Sequence, residues 1–451
     1  METLEQKKIF FSNRDLRRLI IPLLIEQLLN CTVGLLDSMM VSTVGEAAVS
    51  AVSLVDCVNV LLVQVFAALA AGGAVVAGQY IGCRDLKRAC KAGQQLTISL
   101  GALSLVVMVV MYAIVNLLMN VVFGSITAEV EGYARTYILI VNASIPFLAL
   151  YNVGAALFRV MGNSRISMIV ALIMNVVNVG GNALLLFGFG MGVEGVAIPT
   201  LISRIVAAAI ILSLLCNTKH EIHFSRDMSF WPDWGMIRNI MSVGVPNGVE
   251  TSLFQLGKII MLSLISSFGT ASIAANAIGN NIAQYQILGG VSVGIAMVTV
   301  VSQCVGAGNY AEVRRYTRKL LKMGYVFIII MVAITMVLLP LILHLYNVSP
   351  EANAYALSCI TLHGVTACFL WPMAFTLPNT LRAAGDAKYT MIVSAAVMWI
   401  VRIGFGYLLG GYFGLGVFGV WVAMILDWCV RIPLFLVRYR GHKWEHMSLV
   451  G

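Results

Sequence analysis

The sequence predicts an all-α polytopic membrane protein, with twelve transmembrane helices in two six-helix lobes related by a parallel repeat. Three observations carry that prediction. The 451-residue chain is 60% hydrophobic and 11% charged, with a mean hydropathy of +0.91, whereas a soluble domain is about 25% charged. Apolar runs recur along its whole length, many of them exceeding the ~20 residues that a helix needs to cross a bilayer. The second half of the chain also repeats the first at a spacing near 224 residues.

The predicted spans are 18–43, 50–82, 95–119, 132–158, 166–188, 195–216, 237–267, 272–305, 320–346, 353–380, 389–411 and 416–437. Basic residues set their orientation. They fill the N-terminus (Lys7, Lys8, Arg14, Arg17, Arg18). They recur in alternate connections: Arg84/Lys87/Arg88/Lys91, Arg159/Arg165, Lys219/Arg226/Arg238, Arg314/Arg315/Arg318/Lys319/Lys322, Arg382/Lys388 and Arg438/Arg440/Lys443. The intervening loops, near Glu46, Gly124, Glu194, Gly269, Ser349 and Gly414, carry essentially none. This positive-inside pattern puts both termini in the cytoplasm. It also accounts for most of the net charge of +9, so nucleic-acid binding is not needed to explain it. The opening "METLEQKKIFFSNRDLRRL" lacks the short apolar core and small-residue site of a cleavable signal peptide. The nine cysteines form no CxxC pair and are expected to be reduced, structural thiols.

In the repeat, Pro22 meets Pro246, Glu26 meets Glu250, Gly45 meets Gly269, and Gln79 and Gly82 meet Gln303 and Gly306. Further on, Arg159 meets Arg382 and Gly162 meets Gly385. The implied organisation is an N-lobe over 1–216 (helices 1–6), a cytoplasmic linker over 217–236, and a C-lobe over 237–451 (helices 7–12). Six spans per half keep the two halves in the same orientation. Transporters with parallel repeats place substrate at the repeat interface and alternate access around it.

Helix 1, "IPLLIEQLLNCTVGLLDSMM", holds two carboxylates, Glu26 and Asp37. Eleven residues at about 100° each return Asp37 to within ~20° of Glu26, and Asn30 lies close to the same stripe. A carboxylate at bilayer depth is costly unless it faces the bundle interior or water. A proton or a sodium ion that neutralises it removes the cost, so these residues are candidates for cation coupling; a structural hydrogen bond to a neighbouring helix is the alternative. Helix 5 adds Asn175, Asn178 and Asn182, and helix 6 adds Thr200. Their oxygens suit a hard cation or a protonated carboxyl, and amide contacts between helices are the alternative.

The second half differs. Glu250 persists, but Met261 stands at the position of Asp37 and Arg402 at that of Asn178. Lys258 follows Glu250 by two turns, and Asp427 has Arg431 one turn on. These charges are either structural ion pairs or the lining of a substrate path formed by Glu250, Lys258, Arg402 and Asp427. The 23 methionines and the intramembrane aromatics, among them Phe254, Tyr285, Trp371, Phe375 and Trp399, suit adaptable apolar ligands or plain packing.

The stretches "IPLLIEQLLNCTVGLLDSMMVSTVGEAAVSAVSLVD", "GGAVVAGQYIG", "FRVMGNSR", "NVVNVGGNALLLFGFGMGVEGVAIPT", "SSFGTASIAANAIGNNI" and "NTLRAAGDAKYTM" together resemble the multidrug and toxic compound extrusion (MATE) family over essentially the whole chain. The resemblance implies a secondary-active exporter of cationic or amphipathic organic compounds, driven outward by entry of H⁺ or Na⁺ through alternating access. It matches Asp37, Asn178 and Thr200 to the family's N-lobe cation site, a possible Na⁺ site with Asn182, and Pro22 to a proline associated with bending of helix 1. Two departures stand out. Asn182 replaces an aspartate usual in one branch, and helix 10, "ALSCITLHGVTACFLWPMAFTLPNTL", has no acidic residue, His363 being its only titratable side chain.

With two neutral asparagines around a single carboxylate at Asp37, the sequence favours H⁺ over Na⁺. The expected partners are small organic substrates and the lipid bilayer, with no nucleic acid, no cofactor beyond the coupling ion, and a monomer in the cell (inner) membrane. The alternative function is a lipid-linked oligosaccharide flippase of the same superfamily, disfavoured by twelve spans and few buried basic residues. A membrane-embedded enzyme is not expected: no HExxH, GxSxG or Cys/His constellation occurs.

Overall fold

The computed structural model describes residues 11–122, 124, 126–225, 231–346 and 348–450. Lys7, Lys8 and Arg226, counted above among the basic residues, lie outside the described residues. Eleven of the described helices are long and apolar enough to cross a membrane, and a pair bent by 47° makes the twelfth. In chain order they are α1 (Asn13–Ser42), α2 (Glu46–Gly82), α3 (Leu86–Ala113), α4 (Ala128–Asn142 with Ile145–Val160), α5 (Ser164–Gly188) and α6 (Glu194–Leu215). The second six are α7 (Trp234–Ser266), α8 (Thr270–Gly306), α9 (Tyr310–Tyr346), α10 (Pro350–Ala383), α11 (Ala387–Tyr412) and α12 (Gly416–Arg440).

The predicted spans fall on these helices, and the largest differences lie at charged ends. α9 begins at Tyr310 and α3 at Leu86, rather than at 320 and 95. Hydropathy marks the apolar part of a helix, whereas the backbone ladder continues through turns whose side chains are charged. The Asp85 carboxylate accepts the Arg88 N–H at 3.0 Å and so caps the start of α3. None of the nine cysteines forms a disulfide. Large apolar side chains left exposed, such as Val109, Val337 and Ile400, sit where a hydrocarbon solvent is favourable.

The chain packs as two compact units. Among the described residues, one comprises the chain up to Leu24, Gly78–Arg84 and the chain from Val249 onward; the other comprises Ile25–Ala77 and Asp85–Gly248. In the first unit Leu16, Leu19, Ile20 and Leu23 recur at helical spacing along one face of α1. They are buried in one core with Val293, Met297 and Val300 of α8 and Leu377 and Leu381 of α10.

The repeat becomes intelligible as turns and ion pairs. Arg159 and Arg382 each stand in the last turn before a glycine with positive φ, Gly162 at 77° and Gly385 at 102°. In both turns the N–H after the glycine reaches back to the carbonyl five residues earlier: Asn163 to Phe158 and Asp386 to Leu381, each at 2.9 Å. This is a glycine-terminated helix end that a side chain would strain. Each arginine then meets the repeat's glutamate within its own unit, Arg159 pairing with Glu26 and Arg382 with Glu250 at 2.5 Å. The Gln-x-x-Gly copies interlock inside the first unit. A Cβ on Gly82 would strike the backbone of Gln303, and one on Gly306 would strike that of Gln79. The Gln79 amide donates to the Ala383 carbonyl and its oxygen accepts the Leu449 N–H, both at 2.9 Å.

Candidate transport site

The second unit has a half-open cavity of about 240 Å³ that Asp37, Asp56, Asn178, Thr200 and Arg204 help to line. Asp37 projects from α1 toward α5, where the Asn182 amide donates to its Oδ1 at 2.8 Å. One turn earlier on α5, the Asn178 amide donates to the Thr200 hydroxyl of α6 at 3.1 Å, and that hydroxyl donates to the Val196 carbonyl at 2.9 Å. The amide oxygens of Asn178 and Asn182 are buried and accept no hydrogen bond among the described residues. Such unpaired acceptors are costly; Asn178 lines the cavity, where a cation or a hydroxyl proton would meet its side chain, whereas Asn182 stands behind Asp37 and does not line it.

Sequence reasoning missed two charged groups. Asp56 of α2 also lines the cavity and accepts the Tyr137 hydroxyl at 3.3 Å. Arg204 of α6 is buried and donates to Asn59 at 3.2 Å and to the Ser144 hydroxyl at 2.7 Å. The expectation of a single carboxylate is therefore corrected: two carboxylates and one guanidinium share the cavity, a net charge of −1 when all are ionised. Neither Asp37 nor Asp56 forms an ion pair among the described residues. The signal was in the sequence, since an ionisable residue inside a predicted span is a functional candidate by default. Asp56 lies in 50–82 and Arg204 in 195–216.

Glu26 stands elsewhere. It is buried, pairs with Arg159, and accepts the Ser167 hydroxyl at 2.9 Å. Eleven residues of helix separate it from Asp37 by roughly 16 Å along the axis. The shared stripe is real, because both carboxylates meet α5, but at Ser167 and at Asn182. Asn30, between them, is exposed within its unit. Pro22 lies inside α1, which continues through it, and Pro246 lies inside α7 in the same way. A proline removes one N–H from the ladder and is a ready site for bending.

In the first unit, Glu250 is held by Arg382, and Asp427 by Arg431 at 2.9 Å with both side chains buried. Lys258 and Arg402 join neither pair. They flank the Phe254 ring, 5.3 and 5.6 Å from its centroid. Few basic residues are buried among the described residues: Arg204 and Arg431, with Arg402 half-buried. His363 hydrogen-bonds Gln286 at 2.6 Å and lies edge-on to Trp421 and Trp428. No group of three or more His, Cys, Asp or Glu side chains able to hold a metal ion occurs among the described residues.

Comparison with known proteins places this architecture. The chain is 24% identical over 441 residues to a probable multidrug resistance protein NorM of Thermotoga maritima, covering 97% of this chain and 94% of that one. It is 26% identical to the probable multidrug resistance protein YoeA of Bacillus subtilis, covering 97% and 95%. A crystal structure of a MATE protein in the bent conformation superposes with a TM-score of 0.86 at 21% identity, over 96% of both chains, and so shares the fold. The MatE family profile matches twice, over residues 22–184 and 246–408, at the 224-residue spacing of the repeat. With both halves matched in register, the chain belongs to the MatE family of multi-pass membrane transporters, and is not an enzyme.

Proposed function

We propose that the protein is a secondary-active exporter of organic compounds, in which cation entry at the Asp37 cavity drives efflux by alternating access. The carrying observation is that cavity: two carboxylates with no ion pair to either, Asn178 and Thr200 on its wall, and Asn182 hydrogen-bonded to Asp37. An empty, ionised Asp37 in a low-dielectric bundle is unfavourable; a bound cation neutralises it and the pair of states differs in charge. Either ion suits the residues present. A proton on Asp37 supplies a hydroxyl that can donate to an asparagine oxygen. A sodium ion finds carboxylate and amide oxygens, the hard ligands it prefers. The second carboxylate, Asp56, removes the ground on which the sequence favoured the proton. Pro22 supplies the bend that changes the cavity, a reading supported by the bent conformation of the structural relative. Export of varied drugs is carried over from the names of the relatives. The lobes 1–216 and 237–451 face the same way, with both termini and the 217–236 linker cytoplasmic, and the monomer in the cell membrane is the working unit.

The test is efflux of a cationic dye from proteoliposomes with sodium and pH gradients imposed separately. One gradient should drive uphill efflux, and Asp37→Asn should reduce it at least a hundredfold while the protein remains folded. Full gradient-driven efflux by the Asn variant would overturn the reading.

A further inference from the structure

The first unit gathers three cations around one aromatic ring. The Lys258 ammonium and the guanidinium carbons of Arg402 and Arg431 lie 5.3, 5.6 and 6.0 Å from the Phe254 centroid. Arg431 also sits 5.2 Å from the Phe375 ring, which stacks on Trp371 at 5.2 Å. One carboxylate, Asp427, answers them, and it is engaged by Arg431. Three positive groups against one negative group leave two charges uncompensated when all are ionised. A ring quadrupole attracts a cation but carries no net charge. The Arg402 Nε is buried without a hydrogen-bond partner, and neither Lys258 nor Arg402 forms an ion pair among the described residues. Excess like charge inside membrane-spanning helices is expensive and marks a ligand path by default.

We propose that this cluster is a binding site for the anionic group of an aromatic cargo, a carboxylate or sulfonate. Arg402 and Lys258 supply the charge, and Phe254 and Phe375 supply stacking surface. Arg402 presents a planar fork suited to two oxygens of such a group, and Lys258, exposed on its unit, is the accessible point charge. An organic cation would be repelled here, so the site extends the range of cargo beyond cations. The assignment rests on the exporter reading above for the word cargo, but the binding itself needs no ion gradient.

The experiment uses the full-length protein in phosphatidylcholine bilayers and two probes with the same ring system, 1-pyrenesulfonate and 1-pyrenemethylammonium, read by fluorescence anisotropy. Pyrenesulfonate should bind, and Lys258→Gln with Arg402→Gln should weaken it at least tenfold while the ammonium probe binds as in the wild type. Lys258→Gln alone, at an exposed side chain, should weaken it several-fold and covers the case in which the double variant fails to fold. Unchanged pyrenesulfonate affinity in Lys258→Gln, or equal weakening of both probes, overturns the proposal. So does competitive loss of pyrenesulfonate binding on adding phosphatidylglycerol, which would make a lipid headgroup the occupant. Asp37→Asn should abolish gradient-driven efflux yet leave pyrenesulfonate binding intact, so the two readings fail in different assays.

Discussion

The two halves of the repeat keep the same turns and invert the same interior. At the 224-residue spacing, Asp37 becomes Met261, Asp56 becomes Asn280, Asn178 becomes Arg402, Ser203 becomes Asp427 and Arg204 becomes Trp428. The N-terminal copy thus encloses two carboxylates and one guanidinium, and the C-terminal copy three cations and one carboxylate. What survived duplication is the hardware of chain direction: the glycine helix ends, the interlocked Gln-x-x-Gly pair and the two Glu–Arg pairs. Backbone geometry tolerates few residue types at φ near +77° or +102°, whereas a polar interior needs only that its charges be answered, by whichever ligand serves.

The largest expected effect tests whether Asp427 and Arg431 form a structural unit apart from the two unanswered cations. Arg431→Ala removes the hydrogen-bonded partner of the buried Asp427 carboxylate and should destabilise the protein by about 3–5 kcal/mol. Asp427→Ala with Arg431→Ala should recover much of that loss, read as thermal denaturation in detergent. If the double variant is as unstable as the single, the pair is not a unit and the comparison needs another basis.

A second effect separates the two Glu–Arg pairs. Glu26 has both oxygens engaged, by Arg159 and by the Ser167 hydroxyl, whereas the second oxygen of Glu250 has no hydrogen-bond partner. The Thr390 hydroxyl, which follows Ser167 by 223 residues, donates to the Ala387 carbonyl; the Ser167 hydroxyl is shared between the Ser164 carbonyl and Glu26, each at 2.9 Å. Glu26→Gln should therefore cost more than Glu250→Gln, by about 1 kcal/mol, the margin of a charged over a neutral hydrogen bond at Ser167. Equal losses of thermal stability would show that the second oxygen contributes nothing.

The smallest effect lies outside the membrane. Asp233, in the connection before α7, is hydrogen-bonded to Lys91, and it accepts the Met236 N–H at 3.1 Å. The Lys91 side chain, helped by that N–H, holds the Asp233 carboxyl below its usual range. A folded value below the unfolded one means that the contribution to stability is present above the unfolded value, about 3.9, and is lost as pH falls through the folded value. Wild type should lose slightly more stability than Asp233→Asn on going from pH 6 to pH 3, by less than about 1 kcal/mol for so exposed a pair. Parallel pH profiles would remove Asp233 from the account.

The sequence reading reached the twelve helices because apolar length and basic loops act on each segment separately. It reached Asp37, Asn178, Asn182 and Thr200 as candidates because a buried polar stripe is visible along single helices and the family resemblance named most of them. Asp56 and Arg204 escaped because each is a lone charge in an apolar helix, and only packing of α2, α4 and α6 shows that they share Asp37's cavity. Periodicity joined Glu26 to Asp37, but it could not show that Ser167 and Asn182, four turns apart on α5, would receive them separately. Lys258, Arg402 and Arg431 come from three helices, α7, α11 and α12, and no one-dimensional pattern brings them to a single ring.

The crossing of Gly82 on Gln303 and of Gly306 on Gln79 joins segments made at different times. Translation proceeds at about 5–20 residues per second, so the end of α2 waits roughly 10–45 s for α8 to emerge. Gln79 waits longer still, since its side-chain partners are Ala383 and Leu449, 304 and 370 residues further on. Until those segments are made, the tip of α2 carries a glycine-lined notch and a buried-type amide without the partners that fill and pair them. The newborn first half is consequently a holding state in the bilayer, and Leu449 completes a contact that Gln79 began 370 residues earlier.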